Sequence, residues 1–204
     1  MTRYPGILAE RKNSGNGWMI ALATLCLFLL AISVFDIWLT RNYFVVTVVG
    51  DSMKNTVYDG DMLYAARKEA EHGDIVIINV TREEYHSLFQ DATQRIIKRV
   101  IGLEGDEVQC VNGVVYVRRA DEENFVALDE PYAVGRTPDF DLVEVGEGEV
   151  FFLGDNRAVS HDSADVGCLL YSDIEGVVTD SAVRYKKIST SVEGFRAALY
   201  NLFH

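Results

Sequence analysis

The chain has 204 residues, of which 49% are hydrophobic and 11% aromatic, a composition that favours one folded domain with a substantial core and excludes a disordered chain. The formal net charge of −12 disfavours nucleic acid as a partner, because binding phosphates requires clustered lysine and arginine. Residues 1–41 nevertheless carry four basic and two acidic side chains, so the negative charge is concentrated in the rest of the chain.

The first predicted element is a membrane-spanning helix over residues 18–38. No charged residue lies between Lys12 and Asp36, and the apolar run that starts at Trp18 is long enough to cross about 30 Å of hydrocarbon as a helix. Trp18 and Trp38 fall where aromatic side chains meet the membrane interface. A cleaved secretory signal has a hydrophobic region of only about 7 to 15 residues, and a buried soluble helix is seldom apolar on every face. We therefore predict an anchor in a phospholipid membrane.

Basic residues before the span predict its orientation. Arg3, Arg11 and Lys12 precede the helix, and segments rich in lysine and arginine stay in the cytoplasm. We expect the N-terminal segment 1–17 to be cytoplasmic and the body of the chain, residues 39–188, to be extracytoplasmic, joined by a single pass through the cell membrane.

The body is predicted to be all-β. After Arg41 the apolar residues form short β-branched and aromatic segments closed by turns, as in the segment 43–49 before Gly50. The pattern recurs, in chain order, at 62–64, 75–78, 96–101 and 151–153.

A hairpin and a loop-rich excursion are predicted within residues 107–149. Asn112-Gly113 separates two apolar segments, which is typical of a type I′ turn, and the acidic stretch that follows contains Pro131 and Pro138. At the end of the chain, helical spacing of apolar residues predicts an amphipathic tail at 189–204 that packs on the domain.

The three cysteines leave two interpretations open. Cys26 lies in the span, whereas Cys110 and Cys168 lie in a compartment where a disulfide persists. A Cys110–Cys168 bridge and two buried thiols are equally compatible with the sequence.

Two residues are candidates for nucleophilic chemistry. Ser52 follows a predicted strand, where a turn exposes the hydroxyl and directs backbone N–H groups to one point, although most such serines only form turns. Lys98 lies among strand-forming aliphatic residues, and strand alternation places it on one face with Ile96 and Val100. A solvated lysine on an edge strand is the ordinary alternative.

Burial would make Lys98 a base. At its ordinary pKa of about 10.4, a lysine is neutral in roughly one molecule in 2,500 at pH 7. Apolar surroundings that lower the pKa by about 2 to 3 units leave about 4 to 30% neutral, enough to activate Ser52 without a histidine.

The histidines are weaker candidates. His72, His86, His161 and His204 have no metal-ligand spacing, so we predict no metal and no cofactor. His161 could serve a Ser/His/Asp triad, but its spacing from Asp162 gives no support, and we prefer the lysine.

Four segments, in order and behind a membrane span, resemble the conserved boxes of bacterial type I signal peptidases. They are Gly50–Met53 with Asp59–Asp61, Gly73–Val76, Ile97–Asp106, and Phe152–Arg157 with Ser160 and Asp162-Ser163. The resemblance covers residues 45–180. It implies a Ser52/Lys98 dyad on an all-β fold that cleaves secretory preproteins, bound as an added strand, after small residues at −1 and −3.

The resemblance also implies roles for neighbouring residues. Ser160 would orient the lysine, and the Ser52 N–H would hold the oxyanion in a turn formed with Gly50 and Asp51. The supporting polar residues would be Asp155, Arg99, Asn156 and Arg157.

This chain departs from the family pattern at four positions. Gly50 has no hydroxyl to offer the oxyanion, and Ala164 stands where an arginine pairs with the aspartate matching Asp162. Asn55 and Glu104 replace prolines.

Three other functions compete with a general signal peptidase. A membrane-tethered β-domain would bind peptides or assembly partners without turnover, and a self-cleaving regulator would use the same dyad but carry a DNA-binding head in place of the span. A peptidase dedicated to one client is not separated from a housekeeping enzyme by the sequence. We expect a monomer.

Overall fold

The computed structural model describes residues 17–89 and 94–179. Two compact units divide at Arg41, the first containing a helix and the second the β-body. The predicted segment 1–17 lies outside the described residues except for Gly17, and the predicted tail 189–204 lies wholly outside them.

Helix α1 (Gly17–Asn42) contains the predicted span 18–38. Its 26 residues give a length of about 39 Å, which together with its composition is sufficient to cross a membrane. None of its side chains is buried, and Asp36 and Arg41 are its charged residues. The helix therefore supports a membrane anchor.

The body is built from β-strands, which confirms the predicted all-β class. The described residues contain eleven strands: β1 (Tyr43–Thr47), β2 (Met62–Ala66), β3 (Ile75–Asn79), β4 (Arg95–Leu103), β5 (Glu107–Val111), β6 (Val114–Arg118), β7 (Val126–Ala127), β8 (Phe140–Glu144), β9 (Glu149–Leu153), β10 (Leu169–Leu170) and β11 (Ile174–Val178). One short helix, α2 (Ser163–Val166), and two 3-10 turns, Glu83–Tyr85 and Tyr171–Asp173, complete the described elements.

The larger sheet has seven antiparallel strands in the order β1-β2-β11-β3-β4-β9-β10. β3 and β4 lie near its middle and are flanked by two clusters of aliphatic side chains. Gly102 follows a register shift in β4, and a Cβ there would lie 3.0 Å from Val108 Cγ2. This close approach is where the chain turns from the larger sheet into the smaller one.

The smaller sheet has four antiparallel strands in the order β7-β6-β5-β8. Asn112 and Gly113 have φ of 56° and 83° and join β5 to β6, as the Asn-Gly pair predicts. The stretch predicted to be loop-rich also contributes strands, because β7 and β8 pair with the two sides of this hairpin.

Cys110 and Cys168 both belong to the apolar cluster between the smaller sheet and β9. Both are free thiols, and burial raises the pKa of Cys168 to about 12. The structure thus favours two free thiols, Cys110 buried and Cys168 partly buried, over the disulfide.

Candidate active site

Ser52 lies in a tight turn after β1. Gly50 has a φ of 92°, a conformation that favours glycine, and its N–H donates to Asp59 Oδ1 at 2.8 Å. The side chain of Met53 is buried and fixes the turn to the core, whereas Ser52 is half-buried. The turn thus holds the serine at the protein surface on a rigid support.

Lys98 is buried in the middle of the larger sheet. It pairs with Val76 of β3, and only 4% of its surface is exposed. Loss of solvent lowers the pKa of Lys98 from 10.5 to about 8, against the opposing effect of Asp162, Asp165 and Asp155. Among the described residues, no carboxylate lies within 4.0 Å of its amine. The structure therefore contains a lysine that loses its proton near pH 8, well below an ordinary lysine.

Ser160 orients this lysine. Nζ of Lys98 donates to Ser160 Oγ at 3.0 Å, across 62 residues of sequence. The loop that carries Ser160 lies against the Ser52 turn, because Asn156 N donates to Ser52 O at 2.9 Å. Gly154 permits this contact, since a Cβ there would lie 2.6 Å from Ser52 O.

Ser52 and Lys98 share a cleft of about 450 Å³ between β1 and the beginning of β4. No hydrogen bond joins their side chains in the described part of the chain. Hydrogen bonds between catalytic groups are often long in unliganded enzymes and shorten when substrate binds. The cleft brings together the two residues that the sequence identifies as nucleophile and base.

Asp155 anchors the floor of the site. It is fully buried and accepts hydrogen bonds from Arg99 Nε at 2.8 Å and Arg99 Nη2 at 2.6 Å, and from the hydroxyl of Thr56. The guanidinium of Arg99 also lies 3.8 Å from the ring centre of Tyr132. This network joins the Ser52 turn, β4 and the Gly154 loop. Strand alternation alone does not predict that Lys98 is buried while the neighbouring Arg99 is also largely removed from solvent.

Asn156 and Arg157 are part of the same framework. Asn156 Nδ2 donates to Asp51 O at 3.1 Å. Arg157 is buried and donates to Gly154 O at 2.9 Å and Thr137 Oγ1 at 2.6 Å, and it forms an ion pair with Glu130. Both residues support the loop, and neither contacts Lys98.

The Ser52 N–H is the candidate oxyanion donor that the family resemblance implies, and Gly50 and Asp51 form the turn around it. The N–H of Gly50 is committed to Asp59, and Asp51 directs its carboxylate to Lys54 at 3.4 Å. The N–H of Ser52 has no hydrogen-bond partner within residues 17–89 and 94–179. Gly50 and Asp51 therefore shape the turn, and the Ser52 N–H is the group available for an oxyanion.

Asp162 is stabilised without an arginine. Its side chain is buried and accepts hydrogen bonds from Gly154 N at 2.9 Å and Ala164 N at 3.2 Å, and it forms a capping box with Asp165 at the start of α2. Backbone donors thus replace the ion pair that Ala164 cannot form.

His161 does not belong to a serine triad. Its Nδ1 lies 3.2 Å from Asp165 Oδ2 and its Nε2 lies 2.8 Å from Leu88 O. Both ring nitrogens are therefore occupied by groups other than Ser52. No group of His, Cys, Asp and Glu able to hold a metal occurs in the described residues.

Sequence reasoning missed Thr56, Tyr132, Thr137 and Glu130. Each contributes through a contact with a residue far away in sequence, and nothing local distinguishes these side chains from ordinary surface positions. Thr56 follows Met53 of the Ser52 turn by three residues, and its hydroxyl donates to Asp155.

Comparison with known proteins agrees with the geometry. Residues 16–181 match the family model described as signal peptidase, peptidase S26. The chain is 34% identical over 170 residues to a signal peptidase I of Bacillus licheniformis, covering 76% of this chain and 80% of the relative. It is 30% identical over 183 residues to a signal peptidase I of Bacillus caldolyticus, covering 83% and 91%. A chloroplast thylakoidal processing peptidase of Arabidopsis thaliana is 31% identical over 199 residues, covering 90% and 56%.

Among solved structures, a crystal structure of a signal peptidase I from Enterococcus faecalis matches with 29% identity and a TM-score of 0.42. The match covers 55% of this chain and 98% of the crystallised one.

Proposed function

Because the chain belongs to the peptidase S26 family of signal peptidases, a family of serine endopeptidases that remove signal peptides, we propose that Ser52 is its nucleophile and Lys98 its general base. One observation carries this assignment. A buried lysine without a carboxylate partner, whose pKa is lowered to about 8, shares a cleft with a serine held in a rigid turn.

The reaction follows from these positions. Neutral Lys98 accepts the proton of the Ser52 hydroxyl as its oxygen attacks the carbonyl carbon of the scissile bond. The oxyanion that forms accepts a hydrogen bond from the Ser52 N–H. Protonated Lys98, held by Ser160, then gives its proton to the leaving amine, and an ester joins Ser52 to the signal peptide. Water activated by Lys98 hydrolyses this ester and restores the enzyme.

The preprotein binds in the cleft as an added strand. Within the described sheet, β1 is an edge strand that pairs with β2 on one side. In β4, residues Arg95–Lys98 pair with β3 on one side, and the pairing with β9 on the other side begins at Arg99. Each of these two segments therefore offers an open strand edge to an extended peptide. The aliphatic part of the lining, which includes Val46, Ile77 and Ile97, would receive the small side chains at −1 and −3.

Catalysis is tested with a preprotein whose signal ends in Ala-x-Ala. The full chain in detergent should release the mature protein, and Ser52→Ala and Lys98→Ala should each abolish release. Ser172→Ala and Lys68→Ala, which change an exposed serine and an exposed lysine, should leave it intact. A wild type that binds but never cleaves would instead indicate a non-catalytic peptide-binding domain.

We also propose that α1 is a membrane anchor with its N-terminus in the cytoplasm and the β-body outside. The support is the apolar helix Gly17–Asn42 and the basic residues Arg3, Arg11 and Lys12 before it. Protease added to intact spheroplasts should digest the body. Digestion only after lysis would indicate the opposite orientation, with the body in the cytoplasm.

A further inference from the structure

A second cavity, of about 760 Å³, opens on the other side of the Ser52 and Lys98 pair. Like the first cleft, it is lined by Val49, Ser52, Ile96 and Lys98. Its remaining walls come from the segment after β3 and from the loop that carries Ser160. The two cavities therefore meet at the proposed reacting atoms.

A peptide being cleaved has to occupy both cavities. If the first cleft, between two open strand edges, receives the residues before the scissile bond, the chain after that bond must leave through the second cavity, because Ser52 lies at their junction. The occupant of the second cavity is then the beginning of the mature protein.

The outer wall of this cavity is apolar and is held in place by His161. Its Nε2 lies 2.8 Å from Leu88 O, and its ring contacts Phe89 edge to face with 5.6 Å between the ring centres. Val159 extends the wall and is 63% exposed, although it lies beside the cleft. The tether between His161 and Leu88 thus joins two distant segments into one apolar surface.

Charged groups surround this apolar wall. Asp165 lies against His161 at 3.2 Å, and Asp51 lies on the opposite rim, paired with Lys54. An acidic side chain in the cavity would lose solvent beside Lys54, which Asp51 already neutralises, whereas an aliphatic one would cover the exposed Val159 and the half-buried Leu88.

We propose that Leu88, Phe89, Val159 and His161 form the subsite for the first residues of the mature chain and select an apolar side chain there. Successive side chains of an extended peptide point to opposite faces, so only one of the first two mature residues contacts this wall. This inference rests on the proposed Ser52/Lys98 chemistry.

The test uses peptides with one Ala-x-Ala signal end and either Leu or Asp at the first or the second mature position. At one of the two positions the full-length enzyme should cleave the Leu peptide roughly tenfold faster in kcat/KM than the Asp peptide, and at the other position the two peptides should be cleaved alike. Val159→Ser and His161→Ala should each reduce this preference about threefold or more, as expected for partial loss of an apolar contact. Val126→Ser, which changes a valine of similar exposure in the smaller sheet, should preserve it.

Rates that are equal for all four peptides, or a preference that survives both variants, would overturn the subsite while leaving the chemistry intact. Ser52→Ala distinguishes the two failures. If it cleaved as well as wild type, the proposed nucleophile would be wrong, and the subsite built around it would be lost as well.

Discussion

Replacement of Lys98 with methionine should inactivate the protein and at the same time stabilise it. Methionine has a similar length and is apolar, so it suits a site where only 4% of the surface is exposed. Burying an amine that water would keep charged reduces the free energy of unfolding, and the same burial lowers the pKa of Lys98 from 10.5 to about 8.

The size of the effect follows from the two pKa values. The unfolded chain binds the Lys98 proton up to about pH 10.5 and the folded chain only up to about pH 8. The free-energy penalty for burying the amine is therefore complete below pH 8 and disappears as the pH rises toward 10.5. It amounts to about 3 kcal/mol at pH 7 and about 1 kcal/mol at pH 9.5. Loss of the hydrogen bond to Ser160 offsets about 1 kcal/mol of this gain.

The measurement is the Tm of the full chain in a nonionic detergent at pH 7 and pH 9.5. Lys98→Met should raise the Tm by about 4 to 8 °C at pH 7 and leave it nearly unchanged at pH 9.5. Lys68→Met, at an exposed lysine paired with Asp74, is the control and should show little change at either pH. A lower Tm for Lys98→Met at pH 7, or a gain that is the same at both pH values, would refute the burial argument.

Four further outcomes follow from the same geometry. The kcat/KM of the wild type should rise with pH to a half-maximum near pH 8 as Lys98 loses its proton; a steady decline from pH 6 to 9 would contradict this. Ser160→Ala should lower kcat roughly tenfold to a hundredfold with little change in KM, and Ser160→Thr should restore part of it; an unchanged kcat would remove Ser160 from its positioning role. Gly154→Ala should abolish cleavage and lower the Tm, because its Cβ would lie 2.6 Å from Ser52 O. A fully active variant would show that the loop containing Gly154 moves to accommodate the methyl group. A chelator should leave cleavage rates unchanged, and a loss restored by added metal would contradict a Ser/Lys mechanism.

The sequence predicted those parts of the site that depend on local pattern. Strand alternation placed Lys98 on one face with Ile96 and Val100, and the structure buries it there. The glycine turn before Ser52 was also predicted, and it leaves the serine half-buried. The all-β class and the Asn112–Gly113 turn follow from the same local rules.

The remaining contacts depend on how distant segments meet. Ser160 reaches Lys98 across 62 residues, and only the family resemblance identified it. Arg99 is partly buried because Asp155 neutralises it from another loop, which alternation within β4 does not reveal. Nothing in the sequence around Gly50 shows that its N–H is committed to Asp59.

The hydrogen bonds of Asp162 determine how the loop that carries Ser160 responds to salt. A carboxylate held by the buried N–H groups of Gly154 and Ala164 has no mobile counter-charge that dissolved ions can replace. The ion pair of the buried Asp155 with the partly buried Arg99 is shielded in a similar way. These attachments let the loop of Ser160 keep its geometry when the ionic strength around the protein changes.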